Sequence, residues 1–96
     1  MAFTHIVTFT WREDGFDDTE IARRLTALAS GLDSVLDYRC GHDAGLAPGN
    51  ADFAIVGVFR DHDAFSAYRT HPEHVQVFDS LIAPNMQART AVQWQD

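Results

Sequence analysis

The sequence predicts an α+β domain, a four-stranded antiparallel sheet with helices on one face. Three observations carry this. Residues 2–12 and 86–95 alternate between apolar and polar side chains, as half-buried strands do. Two stretches of helical period, each opened by an aspartate, separate the strand-like runs in the order strand, helix, strand, strand, helix, strand. The second helical stretch is interrupted at His71-Pro72, because the residue before a proline is driven out of the helical region.

The first strand, AFTHIVTFTWR, puts Phe3, His5, Val7, Phe9 and Trp11 on one face and Thr4, Ile6, Thr8 and Thr10 on the other. Glu13, Asp14 and Gly15 break the run. Asp17 and Glu20 have the spacing of a capping box with an acidic cap. Ile21, Leu25, Leu28, Ala29 and Leu32 then form one apolar helical stripe, with Gly31 near its end. Residues 34–42 (SVLDYRCGH) read as a second strand and 43–52 (DAGLAPGNAD) as a Gly/Pro loop. Residues 53–60 (FAIVGVFR) read as a third strand, apolar on both sides. Asp61 is placed to cap a second helix that carries Ala64, Phe65 and Tyr68 on one side. Pro72 suits the first turn of a third helix, with Val75, Phe78, Leu81 and Ile82 as its stripe. Pro84-Asn85 ends it, and MQARTAVQWQ (86–95) forms the last strand. The order is that of the ferredoxin-like arrangement.

The 96 residues amount to one domain, 1–96, with no internal repeat or low-complexity segment. Net charge is −7, and the seven basic residues, all arginine, are scattered without a stripe. Nucleic-acid binding needs a clustered positive surface and is not expected. No apolar run is long enough to span a membrane. The N-terminal Met-Ala-Phe-Thr-His lacks the basic region and apolar core of a secretory signal. Cys40 is the only cysteine, which suits a reducing, cytoplasmic location.

The helices can cover only one face of the sheet. The third strand offers Ala54, Val56 and Val58 to one side and Phe53, Ile55 and Phe59 to the other. Leaving the second set in water would expose an apolar patch of a few hundred Å², uncommon on a monomer. A self-complementary homodimer, sheet face against sheet face, is therefore expected.

The stretch AYRTHPEHVQVFD, residues 67–79, concentrates polar chemistry: two histidines flank Pro72-Glu73, with Tyr68 one helical turn before His71. Taken with THIVTFTW on the first strand, FAIVGVFRDHDAFSAYRTHPEHVQVFD in the middle and the alternating last strand, the chain resembles the stress-responsive dimeric α/β-barrel (Dabb) family over nearly its whole length. The resemblance implies a homodimer whose two sheets form one barrel, with a pocket between sheet and helices in each protomer. The family includes stress-induced proteins without assigned activity and polyketide cyclases of the olivetolic acid cyclase type, which work without metal or organic cofactor. Carried over from the cyclases, the first-strand pocket histidine matches His5, the helix tyrosine matches Tyr68 and the catalytic histidine matches His74. A third-strand histidine of the cyclases falls on Ala54 here, replacing an imidazole with a methyl group. Phe3, Val7, Phe9, Ala54, His71 and Phe78 would complete the substrate-binding wall.

A cyclising aldol or Claisen step begins by removing a proton α to a carbonyl, which suits a histidine titrating near neutrality. The first turn of a helix favours the neutral imidazole at His74. Tyr68 is placed to donate to a developing enolate oxygen. His5 would add a polar group to an apolar pocket, the usual makeup of a small-molecule site. The plainer readings are a core aromatic for Tyr68, a satisfied core histidine for His5 and a structural joint for His71. Metal binding at His71 and His74 lacks a third ligand nearby in sequence, and no metal site is expected. Three uses of the pocket stay open: proton-transfer chemistry such as cyclisation or isomerisation, ligand binding without turnover, and cofactor-independent monooxygenation.

Overall fold

The computed structural model describes residues 1–96. Its elements are β1 (Phe3–Trp11), α1 (Thr19–Ser30), β2 (Val35–His42), β3 (Phe53–Phe59), α2 (His62–Thr70), α3 (Pro72–Val77) and β4 (Met86–Gln95). The four strands form one antiparallel sheet in the order β2-β3-β1-β4, the ferredoxin-like topology. No helix is long and apolar enough to cross a membrane.

The register assigns the two faces. Val7 pairs with Ile55 and Ala91, and Phe9 with Phe53 and Arg89, so these residues share a side with His5 and the helices. Phe53, Ile55 and Phe59 are almost wholly buried there. The expected partition of β3 is thus reversed: the helices cover this set, and the outer face is built from Ala54, Val56 and Val58 with Ile6, Val92 and Trp94. Ala54 pairs with Thr8 and faces away from the helices, which removes it from the expected substrate wall.

Two local expectations are also corrected. Asp17 accepts from the backbone N–H of Thr19 at 3.0 Å, but Glu20 turns to Arg23 instead of closing a capping box. Asp18 is buried, and its Oδ2 accepts from Trp11 Nε1 at 3.0 Å and meets His42 Nδ1 at 2.7 Å. The third helix stays α-helical only as far as Val77, then widens into a π-turn over Phe78–Ile82 and a 3-10 turn over Ala83–Asn85. A five-residue step replaces the α-helical spacing, so Val77 and Ile82 take the core side while Val75 stays exposed.

The core falls into two clusters. One gathers Val7, Phe9, Trp11, Ile21, Leu25, Phe53, Ile55, Val77 and Ile82. The other gathers Phe3, Phe59, Ala64, Phe65 and Tyr68. Gly57 on β3 lies opposite His5 on β1 and Tyr38 on β2. A Cβ there would sit 2.8 Å from the Phe59 ring and 3.5 Å from Tyr38, so the bare backbone lets both rings close over the strand.

Candidate functional site

Between the two clusters lies a cavity of about 500 Å³, a volume suited to a small organic ligand. Its floor comes from the sheet (His5, Val7, Phe9, Ile55) and its roof from α2, α3 and the π-turn (Phe65, Tyr68, His74, Phe78, Ile82). Arg69, Asp79, Arg89 and Gln93 add charge and polarity. π-turns recur at functional sites because they redirect side chains. Here the wider winding supplies Phe78, Asp79 and Ile82 to one wall.

The residues around the proline fix the position of His74. His71 adopts an extended backbone, and its Nδ1 accepts the N–H of Glu73 at 3.1 Å, capping α3. Glu73 accepts from Arg24 Nε at 3.2 Å, tying the new helix to α1. His74 follows in the first turn, its ring 4.7 Å from that of Tyr68 in an edge-on arrangement. Burial lowers its pKa, and the charges of Arg69 and His71 act in the same direction, against a backbone contact to Arg69 that raises it. A neutral imidazole results.

His5 is buried, and Gln93 Nε2 donates to its Nδ1 at 2.8 Å. The amide nitrogen can only donate, so the His5 proton sits on Nε2. Burial, followed by the positive charges of Arg89, His74 and Arg69, lowers its pKa to about 4. Tyr68 is 2% exposed, and its hydroxyl lies 2.6 Å from that of Tyr38. Burial pushes Tyr68 up to about 12, and the bond from Tyr38 acts to lower it. The same bond raises Tyr38, on top of a larger contribution from burial.

Of the residues singled out from sequence, His5, Tyr68, His74, Val7, Phe9 and Phe78 meet in this one cavity. Phe3 lies just beyond it, stacked on Phe65 at 5.0 Å. His71 serves as the helix cap, and Ala54 lies on the opposite face. Tyr38, Arg69, Arg89 and Gln93 were not singled out. The alternation of β4 places Arg89 and Gln93 on one face, but only its pairing with β1 shows that this is the cavity side.

The pattern of the Stress responsive A/B Barrel Domain family matches residues 3–96. The chain belongs to the Dabb family. Among solved structures, the Dabb chain is similar to a dimeric ferredoxin-like protein of unknown function from Thermobifida fusca, at 35% identity and a TM-score of 0.87, covering 100% of this chain and 92% of that one. It also resembles a Dabb family protein with a ferredoxin-like fold from Mesorhizobium loti, at 20% identity and a TM-score of 0.74, covering 99% and 96% of the two chains. SnoaB, a cofactor-independent oxygenase from Streptomyces nogalater, shares the fold at 13% identity and a TM-score of 0.76, covering 99% and 92%. No curated protein matches this Dabb chain.

Proposed function

We propose that this Dabb domain acts as a homodimer whose protomers each bind a small, mostly apolar molecule with a carbonyl group and catalyse proton transfer on it. The observation that carries the reading is the meeting of neutral His74 with Tyr68 and His5 in one open cavity. The aromatic side chains that could have plugged that space, Phe9 and Phe78, stand along its walls.

In the proposed step, a ring nitrogen of His74 takes a proton from the carbon next to the ligand carbonyl. The C–H electron pair passes into the enolate, whose oxygen gathers negative charge. The Tyr68 hydroxyl, paired with that of Tyr38, and the Nε2–H of His5 are the donors available to that oxygen. Return of the proton to another carbon completes an isomerisation. Attack of the enolate carbon on a second carbonyl of the same molecule completes a cyclisation, with the His74 proton passing to the new alkoxide.

The homodimer reading is supported by the uncovered outer face, where Val92 and Trp94 are 55% and 46% exposed beside Ile6, Val56 and Val58. The Thermobifida fusca relative is described as dimeric. Burying one such face against its copy removes both patches with a single symmetric contact.

The test follows the α-protons of 1-phenylpropan-2-one in D2O by NMR. The protein is expected to speed their exchange, and His74→Ala to return it to the buffer rate. Unaccelerated exchange of a bound ketone would leave a ligand-binding dimer without turnover. Full acceleration by His74→Ala would remove His74 as the base.

A further inference from the structure

Proton-transfer chemistry calls for an apolar pocket with a few neutral polar groups. This cavity carries more than that. Arg69, in the last turn of α2, and Arg89, opposite Phe9 on β4, reach it from opposite walls. The chain has twice as many acidic residues as basic ones, 14 against 7. Yet its ion pairs are Arg23–Glu20, Arg24–Glu73, His42–Asp18 and His62–Asp63, which leave both of these guanidinium groups unpaired. Asp79 is the one acidic residue lining the cavity, and it pairs with neither arginine. A protein of net charge −7 thus lines this cavity with two cations and one anion.

We propose that the ligand is a monoanion, an apolar or aromatic body bearing a carboxylate that Arg69 and Arg89 hold at the cavity mouth. The planar fork of guanidinium donors matches a carboxylate, and two forks from facing walls fix its position and orientation. Val7, Phe9, Ile55 and Phe65 offer the apolar surface for the body. Both arginines also contribute to lowering the His5 pKa, so their fields overlap inside the cavity. Asp79 opposes a second negative charge, which favours a carboxylate over a dianionic phosphate. The carboxylate end would also set which carbon of the ligand faces His74.

This inference rests on the cavity being a small-molecule site, and the experiment separates the two. The probes are 2-naphthoate and its uncharged near-isostere 2-naphthamide, titrated by calorimetry while the ring signals of His5 and His74 are followed by NMR. Naphthoate is expected to bind about tenfold more tightly than naphthamide, as for charge-assisted hydrogen bonds at a partly open site. Arg69→Gln and Arg89→Gln should each remove most of that advantage while weakening naphthamide binding far less; both side chains are exposed, so folding should survive. Equal affinity for the two probes, with the histidine signals shifted by both, would overturn the carboxylate inference and leave the cavity reading standing. If neither probe bound, or if binding left both histidine signals unmoved, both readings would fall.

Discussion

The hydroxyl groups of Tyr38 and Tyr68 meet at 2.6 Å, joining β2 to α2 beneath the cavity roof. Tyr68 is nearly inaccessible, so either hydroxyl loses a partner that water cannot readily replace when the other is removed. Tyr38→Phe and Tyr68→Phe should each cost about 1 kcal/mol of stability. The double variant should cost less than the sum, with a coupling of roughly 0.5–1 kcal/mol in denaturant titrations. Strict additivity would show that the pair contributes no bond energy. Tyr38→Phe should also slow ketone exchange, because the Tyr68 hydroxyl then loses the partner that positions it.

Stability should pass through a maximum near neutral pH, because the histidines pull in opposite directions. The pKa of His5 is about 4 in the fold against an ordinary 6.5, and that of His74 is also lowered. Unfolding therefore takes up protons, and stability present above about pH 6.5 drains away as pH falls toward 4. His5 should account for about 1–2 kcal/mol, less than the whole displacement implies because the cavity admits solvent. The pKa of His42 is raised, chiefly by its hydrogen bond to Asp18. Its contribution is complete below the ordinary value and fades as pH rises through the folded one. Melting temperatures measured across pH on His5→Gln and His42→Gln should show the acid and alkaline limbs flattened separately. If His5→Gln kept the full acid limb, His5 would not be its source.

Gly57→Ala should destabilise the domain by about 1–3 kcal/mol, as overpacking does, even though alanine ordinarily suits a strand better than glycine. The added methyl would meet the Phe59 ring at 2.8 Å, and Phe59 is fully buried. A variant as stable as the parent would mean that Phe59 has room to move. Near-ultraviolet circular dichroism would show whether the tyrosine pair shifts with it.

The outer face should prove to be the dimer contact. Sedimentation should find a particle of two 10.7 kDa chains, about 21 kDa, and Trp94→Glu combined with Val92→Glu should shift it toward one chain. The substitutions place carboxylates on exposed positions of a lone protomer, so the secondary structure should persist. A parent protein that sediments as a single chain at micromolar concentration would rule out this assembly.

Local rules in the chain reached the four strands, the side of β1 that carries His5 and the break at His71-Pro72, because alternation and proline sterics act over a few residues. Asp61 also fits this pattern, its side chain accepting the N–H of Ala64 at 2.8 Å. What depends on pairing over long separations was not legible. Ala54 stands between Phe53 and Ile55 in an unbroken apolar run, and only its pairing with Thr8 assigns it to the outer face. Arg89 and Gln93 acquire their positions from Phe9 and His5, eighty or more places earlier in the chain. Asp17 has the cap spacing in sequence, but nothing there marks its neighbour Asp18 as the buried partner of Trp11 and His42. The widened turn after Val77 left no mark that α-helical spacing would detect.

That widened turn bears on how this hollow can change. Val77 and Ile82 are anchored five positions apart, so loss of one intervening residue would restore the tighter winding. Side chains on one side of the deletion would then swing about 100° around the axis relative to the other. The strands beneath would keep their pairing, and His5 would stay in place. A single-residue length change in one short segment can thus resculpt the lining of the chamber while the sheet stays intact, a cheap route to new ligands.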